Sequence, residues 1–127
     1  MKTKKVLIID DEPDVITYLT TLLESNGYKA YSTNEILTAM EMVKNIEPDV
    51  ICLDIMMPHE TGISFFTKLR HEKDYQQIPV IIISGVVETE KFNFHSYVSD
   101  DSILPPESFM EKPINIKNFI AKIEQLT

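Results

Sequence analysis

The sequence predicts an α/β domain: an open parallel sheet with helices packed on both of its faces. Two observations carry this. The runs "VLII" (Val6–Ile9), "VICL" (Val50–Leu53) and "VIII" (Val80–Ile83) are apolar at every position, as strands buried on both faces must be. Segments with apolar residues at helical spacing lie between and after them, so that β and α alternate five times along 127 residues. That length suits a single domain over residues 1–127, able to bury a core without staples. No linker, low-complexity tract or internal repeat divides it.

Each element has its own signal. After Val6–Ile9 come three acids, Asp10, Asp11 and Glu12, and then Pro13, which suits a first helical turn. Val15, Leu19, Leu22 and Leu23 make an apolar stripe that Asn26-Gly27 ends. "YKAYS" (Tyr28–Ser32) reads as a weaker strand. "STNE" (Ser32–Glu35) has a capping-box pattern and precedes Ile36, Met40 and Val43 on one helical face. Val50–Leu53 is the third strand, and Gly62 opens a helix carrying Phe65, Phe66 and Leu69. Val80–Ile83 is the fourth strand. From Val86 to Ser102 the signal is weakest, with Phe94, Tyr97 and Val98 able to share a helical face. "SFME" (Ser108–Glu111) is a short last strand, and Ile116, Phe119, Ile120 and Ile123 stripe a last helix.

Composition narrows the function. With 12 basic and 20 acidic residues the net charge is −8, which argues against a nucleic-acid grip and suits cations or basic partners. One cysteine, Cys52, lies inside an apolar run; it forms no internal disulfide, fits a reducing compartment and reads as a small buried hydrophobe. "MKTKK" is followed by too few apolar residues for a signal peptide, and no run reaches the length of a membrane span. A cytoplasmic protein without membrane insertion is expected.

Ligands of such sheets sit outside the carboxyl ends of the strands. Asp10 and Asp11 follow the first strand, Asp54 the third, Ser84 the fourth and Lys112 the fifth. Three carboxylates converging on one rim repel one another unless a cation sits among them. Oxygen ligands without His or Cys favour Mg2+ or Mn2+ over zinc. Mg2+ keeps waters and seeks a phosphate oxygen, so the rim expects a phosphoryl group. Ser84 could donate to one of its oxygens and Lys112 neutralise another. With no Ser or Cys nucleophile beside a His base, a carboxylate is left as the attacking group, giving an acyl phosphate.

Singly, these residues have plainer roles. Asp10-Asp11 can favour a helix start, Asp54 can cap the turn before Pro58, Ser84-Gly85 is an ordinary turn dipeptide, and Lys112-Pro113 is weak alone. Met56 and Met57 read as packing residues, and His59, His71 and His95 as solvated. Convergence favours the functional reading, because independent caps would not choose the same ends of four strands.

From Lys5 to Leu126 the sequence resembles the receiver domains of bacterial two-component response regulators. The resemblance rests on "IIDDEP" with Asp10 and Asp11, "DIMMPHETG" with Asp54, Pro58 and Gly62, "IIISG" with Ser84, and "FMEKP" with Phe109, Lys112 and Pro113. It implies a flavodoxin-like (βα)5 fold, a doubly wound five-stranded sheet of order 2-1-3-4-5. It also implies that Asp54 is the phosphoacceptor for a sensor histidine kinase or phosphotransfer protein. Asp11, Asp54 and the backbone carbonyl of Met56 would be direct Mg2+ ligands, with Asp10 acting through water. Ser84 and Phe109 would be the switch residues and Lys112 the cation that pairs with the phosphoryl group. The phosphorylated form would regulate an unknown downstream protein; no nucleic acid is bound directly, and the only catalysis is of the domain's own phosphorylation and dephosphorylation.

Three features depart from the pattern. Phe109 lacks the hydroxyl of the Tyr found in many relatives. The chain between Ser84 and Lys112 is long and carries "DDSILPPESF". Pro105 and Pro106 there exclude a regular helix, so a short or irregular fourth helix followed by an extended loop pinned by Ile103 or Leu104 is expected, together with a mainly monomeric unphosphorylated state. Met56 and Val86 are apolar where faster-hydrolysing relatives often carry polar residues, which predicts a persistent phosphorylated form. Two other functions compete. A haloacid-dehalogenase-like phosphohydrolase would need a second Asp where Met56 stands, and a pseudo-receiver scaffold would not need Asp54, Ser84 and Lys112 together. No output domain follows the last helix, so a stand-alone receiver is expected.

Overall fold

The computed structural model describes residues 3–57, 60–85 and 103–127. Among these, five parallel strands form one sheet: β1 (Lys5–Ile9), β2 (Lys29–Thr33), β3 (Val50–Asp54), β4 (Val80–Ser84) and β5 (Ser108–Glu111), in the order β2-β1-β3-β4-β5. The expected fold class and strand order are those observed. The helices are α1 (Pro13–Ser25), α2 (Ile36–Ile46), α3 (Gly62–His71) and a C-terminal helix (Ile116–Leu126). A two-residue antiparallel ladder, Met56–Met57 against Glu60–Thr61, separates β3 from α3. The helical face expected for Phe94, Tyr97 and Val98 lies outside the described residues, as do Val86, Pro58, His59 and His95.

Alternation along the central strands sorts the core into two layers. Leu7, Ile9, Ile51, Leu53, Val80 and Ile82 face α2 and α3, where Val43, Phe65, Phe66 and Leu69 meet them. Val6, Ile8, Val50, Cys52, Ile81 and Ile83 face α1 and the C-terminal helix, meeting Leu19, Leu23, Phe119 and Ile123. A period-two strand buried on both sides must be apolar throughout, which is why these runs are legible.

Local signals explain the helix ends. Pro13 begins α1, and Gly27, at φ +88°, takes the left-handed conformation just beyond it. The capping box assigned to Ser32 does not form. Ser32 belongs to β2, and α2 starts only at Ile36, where the Glu35 amide donates to Thr33 Oγ1 at 3.2 Å. The C-terminal helix has an Asn115 side chain accepting from the Asn118 amide at 3.0 Å, a cap not read from the sequence.

The segment before β5 is anchored by one of its two candidate residues. Ile103 is buried in the layer shared with α2 and α3, whereas Leu104 is exposed. Pro106 is buried and Pro105 exposed, and the Glu107 amide donates to the Val80 carbonyl at 3.0 Å, setting the entry into β5.

Candidate functional site

Strand register brings the predicted residues to one edge. Asp54 and Ser84 end β3 and β4, Asp10 follows β1, and Lys112 follows β5, its amide donating to the Ser84 carbonyl at 2.8 Å. Asp10, Asp54 and Ser84 are 1%, 2% and 3% exposed, the interior end of an otherwise apolar sheet. Two carboxylates so far from water are costly unless a positive charge answers them.

Lys112 supplies that charge. Its Nζ lies 3.1 Å from Asp10 Oδ2, 3.4 Å from Asp54 Oδ2 and 2.7 Å from Glu12 Oε1. Burial disfavours the ammonium, yet hydrogen bonds to Glu12 and Asp10 and the charges of Asp10 and Asp54 outweigh it, holding the Lys112 pKa above its ordinary value. The side chain is therefore a fixed cation at neutral pH. The Lys112–Pro113 peptide is cis.

Asp10 does two things at once. Its Oδ1 accepts the Glu12 amide at 2.9 Å, turning the chain from β1 into α1, while Oδ2 meets Lys112. The turn into α1 and the pairing with Lys112 thus use opposite oxygens of one side chain. Asp11 is partly exposed. Carboxylate oxygens of Asp10, Asp11, Glu12 and Asp54 all lie within 4.8 Å of one another. With hard oxygen donors and no His or Cys among them, the set fits Mg2+ or Mn2+.

Gly62 sets how closely α3 approaches this edge. A Cβ at that position would stand 2.5 Å from the Asp54 carbonyl oxygen and 3.1 Å from Ile55 Cα, and the Gly62 amide donates to the Ile55 carbonyl at 3.2 Å. Only a residue without a side chain lets the helix start against the end of β3.

The remaining predicted residues fall as follows. Met56 pairs through its backbone with Thr61, two residues beyond Asp54. Phe109, half-buried on β5, is in register with Ile82 and packs against the layer of α2 and α3. Cys52 is buried within its strand, and burial pushes its thiol pKa up, as a packing residue requires. His71 is exposed at the end of α3. Two features were missed. Glu12 stood in the acidic run without a role, and only the fold shows it reaching Lys112, one hundred positions away. The pairing of the buried Arg70 guanidinium with Glu107 has no local signal in the sequence.

Residues 6–124 match the family model of the response regulator receiver domain. The chain is 31% identical over 86 residues to protein Rrf1 of Nitratidesulfovibrio vulgaris, covering 68% of this chain and 62% of that protein. It is 27% identical over 124 residues to the polar-differentiation response regulator DivK of Brucella ovis, covering 96% of this chain and 94% of the relative. It spans about half the length, 51% and 48%, of two other curated relatives named as transcriptional regulators. The chemotaxis protein CheY4 of Vibrio cholerae superposes with a TM-score of 0.84 at 21% identity, covering 99% of this chain and all of the other.

Proposed function

This chain belongs to the response regulator receiver domain family, and on that premise we propose that Asp54 is its phosphoacceptor in a Mg2+-dependent transfer from a histidine kinase or phosphotransfer protein. The observation that carries the reading is Lys112, held 3.1 Å from Asp10 and 3.4 Å from Asp54 at the buried ends of the strands.

In the transfer, an Asp54 carboxylate oxygen bonds to phosphorus as the donor's phosphorus–nitrogen bond breaks; its electron pair stays on the imidazole, which takes up a proton from solvent, and Asp54 is left as an acyl phosphate. Lys112 neutralises a phosphoryl oxygen as a charge that the fold keeps at this edge. Ser84 would then donate its hydroxyl to a phosphoryl oxygen, with Phe109 repacking as the switch. Asp11, Asp54 and the Met56 carbonyl would hold Mg2+, with Asp10 acting through water. When bound, the ion supplies charge stabilisation to the phosphoryl oxygens.

A cavity of about 360 Å3 opens beside Lys112, lined also by Asp14, Val15, Tyr18, Pro113 and Ile114. That apolar wall beside Lys112 is where the phosphodonor protein would dock in this reading. In this reading the domain is a cytoplasmic signalling module that regulates a downstream protein, and its only chemistry is on itself. No helix among the described residues is long and apolar enough to cross a membrane.

The test is transfer from a phosphorylated histidine-containing donor protein. Intact mass should rise by one phosphoryl group with Mg2+ present, and the gain should vanish with EDTA. A gain unaffected by chelation would refute the metal dependence.

A further inference from the structure

Lys112 donates in three directions, and its three acceptors are not alike. Asp10 and Asp54 are each 2% exposed at the side chain, whereas Glu12, the nearest partner at 2.7 Å, is 56% exposed. Asp10 is also tied down by the Glu12 amide on its other oxygen. Of the three, only Glu12 is both close to the ammonium and free to move with it toward solvent.

We propose that Glu12 is a positioning residue for Lys112: it gives the ammonium a partner on the solvent side of the site, toward which it shifts as a divalent cation enters among Asp54, Asp11 and Asp10. This rests on reading that edge as a cation and phosphoryl site. The physical reason is competition. An ammonium and a Mg2+ ion repel each other at these distances, and both seek the same buried carboxylates. Without an outer partner, Lys112 settles fully on Asp10 and Asp54 and occupies the oxygens the cation needs. With Glu12 in place, the lysine has a carboxylate to retreat to that no buried group shares. Glu12 therefore favours the cation although it need not touch it.

A double-mutant cycle on Mg2+ affinity, read by calorimetric titration of the full chain, separates this from a simple loss of negative charge. Glu12→Gln should weaken Mg2+ binding about threefold to fivefold, the scale of one exposed ion pair. Lys112→Met should tighten binding by removing the competitor. In the Lys112→Met background, Glu12→Gln should change affinity by less than about twofold, because the residue it acts through is gone. An equal loss in both backgrounds would mean that Glu12 acts by its charge or as a ligand, and would overturn the proposal. Glu12→Asp is the second variant, and it decides the matter should Lys112→Met fail to fold. It keeps the charge but shortens the reach, so it should bind Mg2+ as weakly as Glu12→Gln; affinity equal to wild type would overturn the proposal. If wild type binds no Mg2+ at millimolar concentration, the reading of the site falls and this inference with it. If wild type binds and Glu12→Gln binds equally well, the inference alone fails.

Discussion

Arg70, at the end of α3, and Glu107, at the entrance to β5, form a two-pronged ion pair. Arg70 Nη2 stands 2.7 Å and 3.2 Å from the two Glu107 carboxylate oxygens. The guanidinium is 2% exposed, and its other donors are used by main-chain carbonyls: Gln76 at 3.1 Å, Ile78 at 2.6 Å and Leu104 at 3.4 Å. Glu107 in turn accepts the Val80 amide at 2.9 Å. The pair thus ties α3, the turn after it, the start of β4 and the proline-containing segment before β5. The Phe66 ring lies against it, 4.8 Å from its centroid to the guanidinium carbon.

Breaking this clasp should be costly, because it strands a buried guanidinium. Glu107→Gln is expected to lower stability by about 2–4 kcal/mol in urea unfolding. A change within about 0.5 kcal/mol, the range of an ordinary surface substitution, would show that the pair is incidental.

Gly62→Ala should disturb the acceptor end of β3, since the added methyl overlaps the Asp54 carbonyl oxygen at 2.5 Å. A loss of about 1–3 kcal/mol is expected from such overpacking. Phosphorylation by a small acyl phosphate should also slow at temperatures where the variant remains folded. Wild-type stability and rate together would contradict the close approach.

Asp11→Ala should weaken Mg2+ binding by roughly tenfold or more, and Asp10→Ala by less, since the first is read as a direct ligand and the second as one acting through water. Mg2+ should raise the melting temperature of wild type, as any ligand of the native state does, and chelation should reverse the gain. Equal affinities for wild type and Asp11→Ala in a titration would remove Asp11 from the ligand set.

The parts legible in the sequence are those with a local rule behind them. Val6–Ile9, Val50–Leu53 and Val80–Ile83 announce a doubly buried sheet because each residue faces one core layer or the other. Asp10, Asp54, Ser84 and Lys112 were readable as a group because they follow strands that end on one edge. What stayed hidden depends on partners far away in the chain. Ser32 carries a capping pattern, but pairing of β2 with β1 through Ile8 claims it for the sheet. Ile103 and Leu104 look equivalent as letters, and only packing against α2 and α3 buries one and exposes the other. Arg70 and Glu107 sit 37 positions apart, and Glu12 and Lys112 sit 100 apart, beyond the reach of any periodicity.

The central claim is that Asp54 takes the phosphoryl group, and the most direct measurement locates the acyl phosphate itself. The protein is phosphorylated with a small acyl phosphate and Mg2+, reduced with borohydride so that a phosphorylated aspartate becomes homoserine, and mapped by peptide mass spectrometry. Homoserine should appear at position 54 alone, and Asp54→Asn should yield none. Homoserine at position 10 or 11, or labelling that persists in Asp54→Asn, would contradict the assignment.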